Sequence, residues 1–222
     1  MRDFSEIYQI AAARKGGADA LGQLLEPALS TTQLAKIPDD RWLSQFTKSV
    51  FQAGFNWKVI ENKWDGFETA FHGFDVGRCS FMDDEWFDHL ITDKSIVRNG
   101  TKILSVRDNA VFLADIAKEH GSAGQFFAGW PAQDYVGLLT VLKKRGSRLG
   151  AATGQYALRA MGVNGFILSR DVVARLMAEG VIDKPPTSQG AMQAVQNAFN
   201  IWDEQSGLGL KQISRVLAMS VE

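Results

Sequence analysis

The chain has 222 residues, 45% of them hydrophobic and 22% charged, with a formal net charge of −1. This is enough chain for one large domain or two small lobes with a real core, and the near-neutral balance excludes a histone-like mass of positive charge. The only cysteine, Cys79, excludes an intramolecular disulfide and a cysteine-rich zinc site. No apolar run follows a basic start or approaches membrane-spanning length, so a cytoplasmic protein in a reducing compartment is expected.

Helical periodicity recurs along the chain. Residues 4–14 and 17–26 read as two helices broken at Lys15-Gly16-Gly17. After a turn-rich stretch, Asp39 or Asp40 is placed to cap a helix running to about Ala53. DDEWFDHLI sets Trp86, Phe87, Leu90 and Ile91 on one face, and from Gly100 to Glu119 the apolar residues Ile103, Val106, Ala110, Leu113 and Ala117 keep a period near 3.6. Tyr135, Leu138, Leu139 and Leu142 define a further helix. Another follows from about Ala151 to Met161, with Ala157, Leu158 and Met161 on one face. Gly146 and Gly150 frame the turn between them and are expected to supply its positive φ angles. GFILS, 165–169, is the best strand candidate, and VIDKPPTSQG, 181–190, reads as a connection between helical lobes. Met192, Val195, Phe199 and Trp202, then Leu210, Ile213 and Val216, close the chain with two more helical faces. The fold class expected is all-α.

Cations gather where the chain reverses: Lys143, Lys144, Arg145 and Arg148 surround the turn in LKKRGSRLGAATGQ. Helix N-termini attract anions, because their first amides lack partners and the helix dipole adds partial positive charge. The amides after Gly150 are therefore placed to take a DNA phosphate, with Lys144, Arg145 and Arg148 adding attraction that reads no sequence. An ordinary αα-hairpin with a solvated basic face accounts for the same residues.

A second stretch, FQAGFNWKVIENKWDGFETAFHGFD, is dense in aromatics. QAGFNW (52–57), F…FD (71–75), IVRNGTKI (96–103), NA (109–110) and LKKRG…LG…T (142–153) stand in one order. In that order and spacing the chain resembles the 3-methyladenine DNA glycosylase I family, over about residues 40–165. The resemblance implies a two-lobed helix-hairpin-helix DNA glycosylase fold with a cleft between lobes. Residues 1–38 and about 165–222 would form a terminal lobe, and about 39–164 a central lobe with the hairpin. It implies base-excision repair: hydrolysis of the N-glycosidic bond of an alkylated purine such as 3-methyladenine, after the damaged nucleotide is flipped out of double-stranded DNA. Trp57 and Phe55 would wall the base pocket by stacking and cation–π attraction to a cationic ring, with Gln52 and Ser49 beside them. Packing in the core is the plainer role for Trp57. Lys144, Arg145, Gly146, Arg148, Gly150, Ala151 and Thr153 would hold the DNA backbone. No cofactor is expected, and a monomer is expected because the enzyme needs an open DNA face.

The sequence departs from the family at two places. The family's zinc ligands have no counterparts, since Cys79, His72, His89 and His120 are isolated, so no metal is expected. The family's pocket glutamate lies eight residues before the tryptophan of its QAGxxW element, and that position is Ser49. In the wider helix-hairpin-helix superfamily an aspartate about twenty residues past the hairpin stabilises charge developing on the sugar. Asp171 occupies that position and is the catalytic candidate, with helix capping as its plain alternative and Ser169 as a competitor for the cap. No lysine sits just after the hairpin, where lyase-type members of the superfamily keep their nucleophile and Gln155 and Tyr156 stand instead, so a strand-cleaving lyase is not expected. Three readings stay open: a monofunctional glycosylase, for alkylated purines or another lesion; a non-catalytic DNA-binding protein on the same fold; and a protein–protein adaptor.

Overall fold

Apolar residues recurring every three to four positions fold the chain into helices, and among the described residues, 1–221 of the computed structural model, there is no strand. In chain order the helices are α1 (Phe4–Lys15), α2 (Ala18–Gly22), α3 (Thr31–Ala35), α4 (Asp39–Gln52) and α5 (Trp57–Asn62). They continue with α6 (Trp64–Ala70), α7 (Val76–Ser80), α8 (Asp84–Thr92), α9 (Gly100–His120) and α10 (Ala123–Gly129). The last are α11 (Tyr135–Arg145), α12 (Ala151–Ala160), α13 (Arg170–Ala178), α14 (Gln189–Ser206) and α15 (Gly209–Met219).

The contacts divide the chain into two units. One comprises residues 1–29, 130–138 and 162–222; the other comprises 30–129 and 139–161. Compared with the boundaries expected from sequence, residues 30–38 go to the hairpin-bearing unit and 130–138 to the terminal one. A hydrogen-bond set explains the second assignment: the buried Gln196 side chain accepts from the Val136 amide at 2.9 Å and donates to the Ala132 carbonyl at 3.2 Å. The stretch 181–190 joins α13 to α14 within the terminal unit, so it is no connection between lobes.

In the terminal unit the core stacks Phe166 on Phe199, with Tyr135 and Trp202 meeting them edge-on. GFILS is not a strand. Its backbone is satisfied by a side chain: the Ser214 hydroxyl accepts from the Ile167 amide at 3.0 Å and donates to the Ile167 carbonyl at 3.3 Å. With those groups paired, the segment has no need of a ladder.

In the hairpin-bearing unit most of the aromatic stretch is core. Phe51, Phe67, Phe71 and Phe74 are fully buried, and Trp64 stacks on Phe67 and Phe74. Trp42 stacks on Phe127 with centroids 4.2 Å apart. Glu68 ties α4 to α6, accepting from both Arg41 nitrogens, the Ser44 hydroxyl and the Trp64 indole. Burial pushes its carboxyl up, but these donors outweigh that and hold it below the usual range. Neither aspartate caps α4 with its side chain at the N-cap. Pro38 occupies that position; Asp39 instead accepts from the Ala123 amide at the start of α10, and Asp40 from the amide of Arg41. Residues 17–26 form only the single short helix α2, because the chain turns out of helix after Gly22.

Candidate functional site

Only two aromatics of the stretch from Phe51 to Asp75 are exposed, and both lie in QAGFNW: Phe55 and Trp57. The loop is set from both sides. Asn56 accepts from the Lys58 amide at 3.0 Å and so caps α5, which makes Trp57 its first residue and turns the indole outward, half exposed. Behind the loop stands Lys102, buried on α9. Its ammonium donates to the Ala53 carbonyl at 2.7 Å and the Phe51 carbonyl at 3.2 Å, and lies 4.4 Å from the centre of the Phe55 ring. Burial, and then the charge of Arg148, hold the Lys102 pKa below its ordinary value.

Core packing, the alternative role for Trp57, does not hold: its indole is half exposed and meets the Tyr156 ring edge-on, centroids 5.8 Å apart at 89°. Phe55 already gives one face to the Lys102 cation. Gln52 is half-buried. Ser49 is buried on α4, and its hydroxyl accepts from the Gln45 amide nitrogen at 3.1 Å.

The hairpin joins α11 to α12, and α9 clamps it. The buried Asn109 side chain accepts from the Ser147 amide at 2.8 Å and donates to the Ser147 carbonyl at 3.0 Å, while Asp108 takes the Ser147 hydroxyl. Positive φ falls at Arg148 (60°) and Ala151 (49°), not at Gly146 or Gly150 as the sequence suggested. The need for glycine at 146 is one of space: a Cβ there would sit 2.7 Å from the Leu142 carbonyl and 2.8 Å from the Leu149 side chain. Lys143 and Lys144 are exposed, and neither forms an ion pair among the described residues. Arg145 is held by Glu119 in a two-point pair at 2.9 and 3.1 Å, and Arg148 donates to the Thr101 hydroxyl. No side chain caps α12. Its first residues, Ala151 and Ala152, are exposed, with Thr153 half-buried, so no side-chain cap competes for its leading amides.

In the terminal unit Asp171 is exposed in the first turn of α13. Of the two candidates for the cap Ser169 holds it, accepting from the Val172 amide at 3.3 Å, so capping, the alternative role for Asp171, does not hold. Cys79 is buried, donates weakly to the Phe71 carbonyl, and has its thiol pushed up to about 12 by burial and then by Asp75. Such a thiol is inert packing. No group of three or more His, Cys, Asp or Glu that could hold a metal occurs among the described residues, and no described helix is long and apolar enough to cross a membrane.

The methyladenine glycosylase family matches residues 36–139. The chain is similar to the methyladenine glycosylases. The matched segment contains Ser49, Gln52, Phe55, Trp57 and Lys102 and stops before the hairpin turn and Asp171. DNA-3-methyladenine glycosylase 1 of Escherichia coli (strain K12) is 32% identical over 59 residues, which are 27% of this chain; the match spans about a third, 32%, of that relative's length. A crystal structure of 3-methyladenine DNA glycosylase I superposes with a TM-score of 0.51 at 22% identity, covering 58% of this chain and 81% of the other. The Staphylococcus aureus 3-methyladenine DNA glycosylase I, described for its recognition of 3-methyladenine, superposes at 0.50 and 23% identity, covering 57% of this chain and 77% of the other. These likenesses fix a methyladenine glycosylase fold. Lys102 is the site neighbour that the residue types left unremarked, and Tyr156 stood out only as a residue after the turn. For Lys102 the signal was present: it lies four residues before Val106 and seven before Asn109, on the inward face of α9.

Proposed function

We propose that this protein is a monofunctional DNA N-glycosylase that extrudes a damaged purine from double-stranded DNA and hydrolyses its N-glycosidic bond, acting as a monomer. The observation that carries this reading is the conjunction, in one unit, of an uncapped helix N-terminus beside unpaired lysines with an outward-facing tryptophan. The leading amides of α12, Lys144 and Arg148 would hold a phosphate without reading sequence, while Trp57 would stack the extruded base. Gly146 keeps the turn tight, Gly150 stands at the N-cap of α12, and Thr153 offers a hydroxyl in its first turn. Arg145 would contribute its charge from within its pair with Glu119.

Alkylation of a ring nitrogen makes the base cationic and a better leaving group, so the protein need supply less chemistry. Asp171 would supply the rest, its carboxylate stabilising positive charge that develops on the sugar as the bond breaks. What supports that role is that its carboxylate has no partner among the described residues. No lysine stands just after the hairpin to act as a nucleophile, so water is the acceptor and the strand stays intact. A second reading, DNA binding without excision, is favoured by Ser49: a hydroxyl engaged by Gln45 stands where the family it resembles has a pocket carboxylate.

Base release from methylated duplex DNA, native protein against Asp171→Asn at matched DNA occupancy, tests the reading. Release by the native protein that collapses in the variant supports it. Release that survives the substitution removes Asp171 from the chemistry, and full occupancy without release favours the binding role.

A further inference from the structure

Four aromatic side chains stand exposed in the hairpin-bearing unit: Phe55, Trp57, Phe81 and Tyr156. Phe81 has no ring neighbour, and Phe55 gives a face to the Lys102 ammonium. Trp57 and Tyr156 meet each other, from two elements far apart in sequence, while each stays open to solvent at 50% and 39%. Two large rings left this open at the surface forgo part of the gain that full burial would bring. Their planes stand at 89°, which leaves two walls at a right angle. Among the described residues neither the Trp57 indole Nε1 nor the Tyr156 phenol has a hydrogen-bond partner, so the corner presents two donors to a ligand.

The position of Tyr156 on α12 links it to the backbone grip. Ala152, in the exposed first turn, and Tyr156 are four residues apart and share a helix face. The rise between them is about 6 Å, comparable with the reach from a nucleotide's phosphate to its base. One rigid helix thus carries the phosphate anchor at its start and an aromatic wall one turn on.

We infer that Tyr156 is a specificity-determining residue of the base site, forming with Trp57 a two-walled aromatic corner that receives the extruded purine. This rests on the glycosylase reading and deepens it. One ring stacks the base; the other closes its edge. The indole and phenol donors favour a purine edge that presents ring-nitrogen or carbonyl acceptors. Loss of the Tyr156 ring removes a stacking wall and leaves the amides and cations of the hairpin untouched.

The test measures two affinities for the native protein, Tyr156→Ala and Tyr156→Phe: for free 3-methyladenine as a base probe, and for duplex DNA carrying an abasic-site analogue, which has no base to stack. Tyr156→Ala is expected to weaken the purine probe by about five-fold or more, the scale of one base–aromatic stack, with abasic-duplex affinity unchanged. Tyr156→Phe, which keeps the ring, restores most of the purine affinity. Undiminished purine binding by Tyr156→Ala overturns the inference, and so do equal losses for purine and duplex, which assign Tyr156 a structural role. Native protein that binds the duplex but not the purine overturns the corner alone. Native protein that binds neither overturns the glycosylase reading and the corner with it.

Discussion

Lys102 shows how much one residue settles. A buried ammonium with no carboxylate partner is costly unless its donors are satisfied. Here two carbonyls, of Phe51 and Ala53, and the face of Phe55 take its three directions. The lysine therefore fixes the path of the loop that presents Trp57. Lys102→Met keeps the chain length and removes the donors, leaving the Phe51 carbonyl buried without its partner. A loss of about 2 kcal/mol in urea denaturation is expected, with weaker purine binding; unchanged stability would mean the loop holds itself. An apolar-periodicity reading counts lysine as a surface residue, so the only trace of its burial is its register with Val106 and Asn109 on α9.

At the scale of elements, the hairpin is strained and clamped at once. Arg148 and Ala151 sit in left-handed backbone that non-glycine residues enter only at a cost of about 1–2 kcal/mol each. Asn109 offsets that cost by replacing a turn's own hydrogen bonds with two from its side chain. Asn109→Ala is expected to destabilise by about 2 kcal/mol, because both Ser147 bonds go and one partner lies partly buried. Its DNA affinity should fall although every cation remains. Gly154 makes a separate demand for space: an added Cβ would collide with the Leu149 carbonyl, so Gly154→Ala should destabilise the same turn. The sequence made the hairpin legible through its paired helices and basic run. It misplaced the positive φ angles because glycine is needed here for close packing at 146 and 154, and the clamp from α9 lets an arginine and an alanine take the strained positions. Tyr156 was legible only as a neighbour of the turn. Which face of an alanine-rich helix points outward is decided by packing, and α12 alternates small residues on both sides.

Across the whole molecule, the all-α class and most helix positions follow from periodicity alone, and the family likeness follows from motifs kept in order. The division of the chain did not: residues 130–138 join the terminal unit through Gln196, a contact between segments sixty residues apart. A second long-range feature ties both ends of the chain. Glu179, its side chain almost fully buried, accepts from the Arg2 amide at 2.9 Å, the Arg2 guanidinium at 2.6 Å and Arg175 at 3.2 Å. Arg175 in turn donates to the hydroxyl and carbonyl of Ser220. Burial raises the Glu179 pKa, but the Arg2 and Arg175 donors prevail and hold it below the ordinary 4.5. The sign follows from linkage: the unfolded carboxylate binds its proton first, so the stabilisation is present above the ordinary pKa and is lost as pH falls through the depressed folded value. Glu179→Ala, which leaves Arg175 buried without its anion, is expected to cost about 3–5 kcal/mol at neutral pH. It should also flatten the acid limb of the stability curve, and an unchanged acid limb would assign the acid sensitivity elsewhere.

Excision of a purine is tested by incubating the native protein, in excess over sites, with methylated duplex DNA and measuring free purine, abasic sites and strand breaks together. Methylated purine is expected in equal number with abasic sites, on strands that stay intact until treated with alkali. Saturated DNA that yields no free base would contradict it.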